Sequence, residues 1–536
     1  MKKIIVVGAG VSGAHAALTL LERKFDVELW DVGREESPFP EAETTFHQLK
    51  KTLDDPTAYF LGKDLSALIP PATDELLRYP PSRHFLTSQD DSLWGFNSES
   101  FFPYGSLNKG GLANGWGANA LSFDDDDLGD WPISSTEMQA AYKSVYKRIA
   151  VAGPDKDDLS PFLSGAYPSQ SAIQMSRVDQ RILQTYKKNS KTFNKMGVRI
   201  GQARLAVVTD PLRDDACDYC ERCLWGCPRQ SIYNPVSTLE ECAKYAGFNY
   251  ISGRYVLSLL SSERRICGIR YLDTKTQEIH ESTCDTVFLA AGALQTGGVF
   301  LRTLKSAYPE LSTETEGLMD TQVIKLPYVA LRNIGQAVEE RSFQFNRLIM
   351  GIVNASPAHD SWPRYLHGEM LQLTSLIYHP LIESLPFDAK LSKQLFFTLK
   401  SALGTVSLFF PDKITSNNKQ LLVDEGGRWD KIQLQYTETA ESKRYVEQSV
   451  ATVRKALWRL ACIPQGIIQS PFGSGIHYAG TVPMGNGPKK CDKNGQANLF
   501  SNLYIADGAA FPSLPSKSIT LSLAAHATRV AQNAKL

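Results

Sequence analysis

Residues 2–33, KKIIVVGAGVSGAHAALTLLERKFDVELWDVG, carry the first spacing that can do chemistry. Gly8, Gly10 and Gly13 follow G-x-G-x-x-G. At that spacing the first glycine allows a tight turn, the second lets backbone approach a pyrophosphate, and the third lets a helix lie close on a strand. A helix opening here offers unsatisfied N–H groups and a partial positive charge to phosphates. Asp31, 18 positions after Gly13, is placed to accept hydrogen bonds from an adenosine ribose. Alone, the glycine triplet would fit an ordinary turn; with its flanking elements in register it reads as a dinucleotide site. A second constellation is CDYCERCLWGCP, with Cys217, Cys220, Cys223 and Cys227. C-x2-C-x2-C-x3-C-P is a spacing at which thiolates clamp an iron–sulfur cluster, and its fourth cysteine can serve a different cluster. Four cysteines so close together suggest metal before disulfide. Structural thiols and a zinc site stay open as alternatives.

The elements that must position these residues follow from pattern. Residues 4–7 form a β-branched apolar run expected as a buried parallel strand, residues 11–23 an Ala-rich helix, and residues 27–30 a second strand. Residues 35–102 read as long connections and short helices. Residues 104–121, YGSLNKGGLANGWGANAL, hold so many glycines that backbone packed against something flat or charged is expected. The acidic run 124–127 reads as a solvated turn rather than a metal site. Residues 247–253, 255–262 and 265–273 are expected to form a small antiparallel meander, residues 285–292 a buried strand, and residues 294–301 a helix. Residues 305–470 mix strand-like runs (324–331, 432–436) with amphipathic helices (394–408, 441–460), expected as a second domain on an antiparallel sheet. Residues 395–410, LFFTLKSALGTVSLFF, are the most apolar surface candidate, but Lys400 interrupts them and a buried helix is the better reading. Residues 502–507 form a strand that would close the first sheet, and a final helix spans 519–533.

Composition excludes several classes. At 536 residues the chain needs two or more domains. Lys plus Arg and Asp plus Glu number 57 each, so no basic field points to nucleic acid. No uncharged apolar run reaches membrane-spanning length. The fingerprint begins at residue 4, which leaves no room for a leader, and five of the nine cysteines are scattered singly. Both features are expected of a cytoplasmic protein.

The N-terminal fingerprint, GGLANGWGAN, DWPIS before a helix bearing Tyr142 and Tyr146, AAGALQT, and the tail HYAGTVPMG…NLYIADGAAFPSLP follow one another in a familiar order. Together they resemble the glucose–methanol–choline (GMC) oxidoreductases, flavoproteins that oxidise alcohols. The resemblance covers the N-terminal third in patches and the tail closely; residues 305–470 match by position alone. It implies an α/β fold with a Rossmann-like FAD-binding domain (residues 1–304 and 471–536) and an α+β substrate domain (305–470). It further implies non-covalent FAD, because the glycine run lacks a histidine through which some relatives tether flavin. Gly8, Gly10, Gly13 and Asp31 would hold the adenosine and pyrophosphate. Gly111, Asn114 and Gly115 would lie near the isoalloxazine, with Val256, Ala291 and Gly292 also against the cofactor. Asp507 and Gly508 would contact the pyrophosphate or ribityl chain.

His477 stands where the family places its active-site histidine. An imidazole titrating near neutrality can take a hydroxyl proton while the hydride goes to flavin N5. The family's second active-site residue, His or Asn, is Ser518 here, preceded by Lys517. Serine is a weaker orienter and a poor base, so Lys517 is a candidate to fill the gap. The resulting expectation is an FAD-dependent oxidoreductase acting on a sugar or other polyol hydroxyl. An iron–sulfur cluster at the four cysteines would draw electrons from flavin toward an acceptor protein. Two alternatives stay open, a flavoprotein lyase or isomerase and a subunit of an electron-transfer assembly. Membrane association is the less favoured option.

Overall fold

The computed structural model describes residues 2–35, 45–68, 79–87, 92–129, 131–163, 169–339, 341–353, 362–373 and 379–536. Asp130 of the DWPIS motif and parts of the 35–102 stretch lie outside them. Five parallel strands form the first sheet, in the order Leu503–Ile505, Thr286–Leu289, Ile4–Val7, Val27–Trp30, Phe248–Ile251. Every residue of Ile4–Val7 is buried, as a central strand covered on both faces requires. The strand from the far end of the chain closes the sheet as expected. Helices Val11–Glu22 and Thr520–Asn533 pack on each other and on this sheet, their alanines permitting close approach.

The expected meander is differently composed. Phe248–Ile251 leaves it for the edge of the parallel sheet, pairing with Val27–Trp30. Its place is taken by Ile279–Thr283, which joins Arg254–Ser262 and Arg265–Asp273 in a three-stranded antiparallel sheet. Helix Ala293–Ala307 packs against Arg254–Ser262.

A seven-stranded sheet forms the second layer system. Its order is Cys462–Pro464, Gln322–Ala330, Leu403–Phe410, Tyr365–Gln372, Leu348–Val353, Val198–Gln202, with Ile468–Gln469 paired to Gln322–Ala330. Val198–Gln202 comes from far upstream of residue 305, and helix Arg177–Lys188 shares the sheet's core with helix Ala440–Arg459. The apolar stretch 395–410 is not one helix. Helix Ala389–Leu399 ends at a 3-10 turn, Lys400–Ala402, and Leu403–Phe410 is a central strand. The β-branched and aromatic run 405–410 suits a pleated, half-buried surface, which outweighs the helical period read across it.

The pleat of this sheet decides what faces the first domain. Leu366, Met370, Val406, Leu408 and Phe410 lie in the core under the helices. Alternation therefore sends His367, Glu369 and Phe409 to the opposite face. His367 is the cross-strand partner of Phe409.

Candidate active site

The glycine fingerprint and the opposing sheet enclose one cavity of about 390 Å³. At one end it is lined by Gly8, Gly10, Asp31, Val256, Ala291 and Gly292, and at the other by Glu369, Phe409, His477 and Ser518. Gly111, Gly115, Asp507 and Gly508 also line it. Gly8 has φ +102°, and a Cβ there would meet the Ala290 carbonyl oxygen at 2.5 Å. A Cβ at Gly13 would lie 1.8 Å from the Gly8 carbonyl oxygen, so this glycine serves helix packing rather than the cavity wall. Gly10 is different: a Cβ would meet nothing closer than the Gly110 oxygen at 4.0 Å, and would project into space a ligand can use. Helix Val11–Glu22 begins there without a side-chain cap. Its first N–H groups are left for an anion. Burial raises Asp31 to about 7, against hydrogen bonds from the Ala9, Val32 and Gly33 backbone and the Tyr250 hydroxyl. Ribose hydroxyls would add donors to its carboxylate. These features fit a dinucleotide such as FAD.

Replacing Gly13 with alanine drives a Cβ into backbone that cannot yield. The variant is expected to lose at least about 1–3 kcal/mol of stability and most of its bound FAD. The flavin-to-protein absorbance ratio after purification checks this.

Asp507 joins the strand ends. Its carboxylate accepts from Gly292 N (2.9 Å), Thr296 Oγ1 (2.6 Å) and Ala509 N (2.9 Å). Burial raises it to about 6. Asn114 turns away from this cavity. Its Nδ2 donates to the Lys109 carbonyl at 2.7 Å, and it lines an adjoining cavity of about 290 Å³ with Cys223 and Cys227.

His477 Nδ1 is buried and has no hydrogen-bond partner among the described residues. The ring stacks on Phe409, centroids 5.7 Å apart. Burial, then the neighbouring His367, pulls His477 down to about 4, so the imidazole is neutral at physiological pH. Ser518 reaches the cavity, but Lys517 does not. Its side chain is wholly buried and donates to Asp124 at 2.9 Å and to Asp127. Burial opposes its charge, yet the two carboxylates more than offset that and raise its pKa. The reason is alternation: Ser516 is tied to Tyr365 O and His367 N, Lys517 points back, and Ser518 points forward. Lys517 is thus corrected from catalytic candidate to structural cation. The acidic run 124–127 is likewise no merely solvated turn, since Asp127 is its buried partner.

The loop before His477 is held by a residue that no motif signals. Asp320 Oδ2 accepts from Gly473 N at 2.7 Å and Gly475 N at 3.3 Å, and Asp320 N donates to Asp412 at 3.1 Å. Ile476, next to His477, has φ +62°. That conformation costs a β-branched residue roughly 1–3 kcal/mol and needs such a clamp. Asp320→Ala is expected to lower kcat about ten- to hundredfold with little change in KM if His477 takes part in the reaction, because an ångström of misplacement at a reacting group has that scale of effect. Asp320→Asn, which keeps one acceptor, should recover much of it. Equal losses in KM and kcat would argue against positioning. His367 and Glu369, in YLHGEM, do carry a faint signal: two ionisable residues at strand period two in an apolar run.

The metal expectation for Cys217, Cys220, Cys223 and Cys227 is not supported. Among the described residues no group of three or more His, Cys, Asp or Glu is disposed to hold a metal ion. Burial pushes the Cys217 thiol to about 12 and Cys220 to about 11, and raises Cys223 too. Cys217, Cys223 and Cys227 pack against a cluster that includes Leu205, Phe343 and Tyr365, and burial favours S–H over thiolate at Cys217, Cys220 and Cys223.

Residues 431–527 match the family model described as GMC oxidoreductase. No curated protein matches the sequence. The fold is similar to that of pyridoxine 4-oxidase from Mesorbium loti, at TM-score 0.60 and 14% identity over 99% of each chain. It is also similar to an FAD-dependent oxidoreductase from Chaetomium thermophilum, at TM-score 0.62 and 14% identity over 99% of this chain and 98% of that one. No helix of the described residues is long and apolar enough to cross a membrane. The fold is thus shared end to end with these two structures, and residues 431–527 carry the C-terminal part of a GMC oxidoreductase.

Proposed function

We propose that this chain oxidises an alcohol to a carbonyl compound with non-covalent FAD, His477 acting as base. The observation that carries the reading is a neutral, half-buried imidazole at the end of a dinucleotide cavity, its Nδ1 without a partner among the described residues. When bound, FAD supplies the hydride acceptor. His477 takes the hydroxyl proton, Phe409 fixes the plane of its ring, and Asp320 fixes the height of its loop. Ser518 offers the substrate oxygen one hydrogen bond. The helix Thr520–Asn533 opens beside the cavity, so its positive end favours negative charge there.

A sugar or polyol hydroxyl is the substrate class the family resemblance suggests. Asn119, Glu369 and Ser518 supply polar partners for it, whereas Phe409 and Trp116 supply flat apolar walls that also suit aromatic and heterocyclic alcohols. Anaerobic titration of the FAD-loaded protein with polyols and aromatic alcohols tests the reading. Bleaching of the flavin by any of them supports oxidation. A lyase or isomerase would turn over its substrate with the flavin spectrum intact.

A further inference from the structure

Glu369 is the acidic side chain at the His477 end of the cavity, and its surroundings hold it in one pose. Its side chain is 15% exposed. One oxygen accepts from Asn119 Nδ2 at 2.7 Å, and Asn119 is in turn locked by reciprocal hydrogen bonds with buried Asn346 at 3.0 and 3.1 Å. His367 Nε2 lies 3.7 Å from the same oxygen, beyond hydrogen-bond reach. Among the described residues nothing donates to the second oxygen. Phe409 lies against His477 at 5.7 Å and against His367 at 5.8 Å, so one aromatic ring touches both histidines on the face that also carries Glu369. The described basic side chain that lines the cavity, Arg254, belongs to the adenosine end, where it pairs with Asp273 at 3.0 Å and stacks over Tyr271. The substrate end therefore presents one preorganised carboxylate and aromatic faces, with no described cation lining it.

We infer that Glu369 is the specificity-determining residue of the substrate pocket, selecting alcohols that carry an ammonium group beyond the reacting carbinol over neutral ones and rejecting acidic ones. The inference rests on the alcohol-oxidation reading. A carboxylate fixed before binding forms a charge-assisted hydrogen bond at little reorganisation cost. An aromatic wall adds attraction for a cation, whereas an anionic substrate would meet repulsion with nothing to offset it.

The test uses FAD-loaded protein at pH 8 and three probes of similar shape that are not alcohols: benzylammonium, benzamide and benzoate, followed by perturbation of the flavin spectrum. Benzylammonium is expected to bind at least about tenfold more tightly than either of the others. Glu369→Gln should remove that preference, and Glu369→Asp should retain part of it. Benzoate binding as tightly as benzylammonium, no benzylammonium binding, or an unchanged preference in Glu369→Gln would each overturn the inference. Failure of the underlying reading looks different. The ammonium preference would persist while no alcohol bleaches the flavin.

Discussion

Replacing His477 with alanine is expected to slow flavin reduction by substrate at least about a hundredfold while leaving FAD bound. The cofactor half of the cavity is built by Gly8, Gly10, Asp31 and their neighbours rather than by His477, so binding and proton removal are separable. Stopped-flow reduction under anaerobic conditions reads the rate, and the visible spectrum reads occupancy. A loss below about threefold with FAD retained would remove His477 from the role of base. The same residue fixes the acid limb. Its pKa is lowered in the fold to about 4, so the base form prevails above that value and is lost as pH falls through it. The reduction rate should therefore hold level from about pH 8 down to pH 5 and decline below. A limb centred near the ordinary imidazole value of about 6.5 would mean that burial does not control this histidine.

The second large effect concerns stability. Lys517→Met leaves Asp127 as a buried carboxylate without its cation, which is expected to cost about 3–5 kcal/mol, read as a lower denaturant midpoint. The double variant Lys517→Met/Asp127→Leu should recover most of the loss, because removing both charges removes the uncompensated one; Asp124, at 17% exposure, retains some access to water. Flavin reduction per folded holoenzyme should stay within about threefold of the parent, since the ammonium points away from the cavity. A hundredfold loss in the still-folded double variant would restore Lys517 to the chemistry.

These predictions separate what is readable locally from what is not. The nucleotide-binding unit is legible because its constraints are consecutive: a tight turn at Gly8, close packing at Gly13 and an acid at the end of the next strand are all set by backbone geometry within residues 4–31. Strand and helix bounds there match the sequence expectation to within a residue. The placement of His477 at the cavity is legible because the motif around it is local as well. By contrast, residues 395–410 mislead because a run of apolar side chains fits a buried helix and a central strand equally until the partner strands are known.

What only tertiary structure decides lies in register and long-range burial. That His367 stands opposite Phe409, and that Glu369 shares their face, follows from the pairing of Tyr365–Gln372 with Leu403–Phe410; a slip of one residue would send all three to the other side. That Lys517 is consumed by Asp124 and Asp127 depends on a contact spanning 393 and 390 positions. The cysteines have the spacing of a metal ligand set, but the chain folded around them leaves Cys217, Cys223 and Cys227 against apolar side chains. Spacing along the chain fixes which groups can meet; only packing determines their dielectric, their partners and therefore their charge.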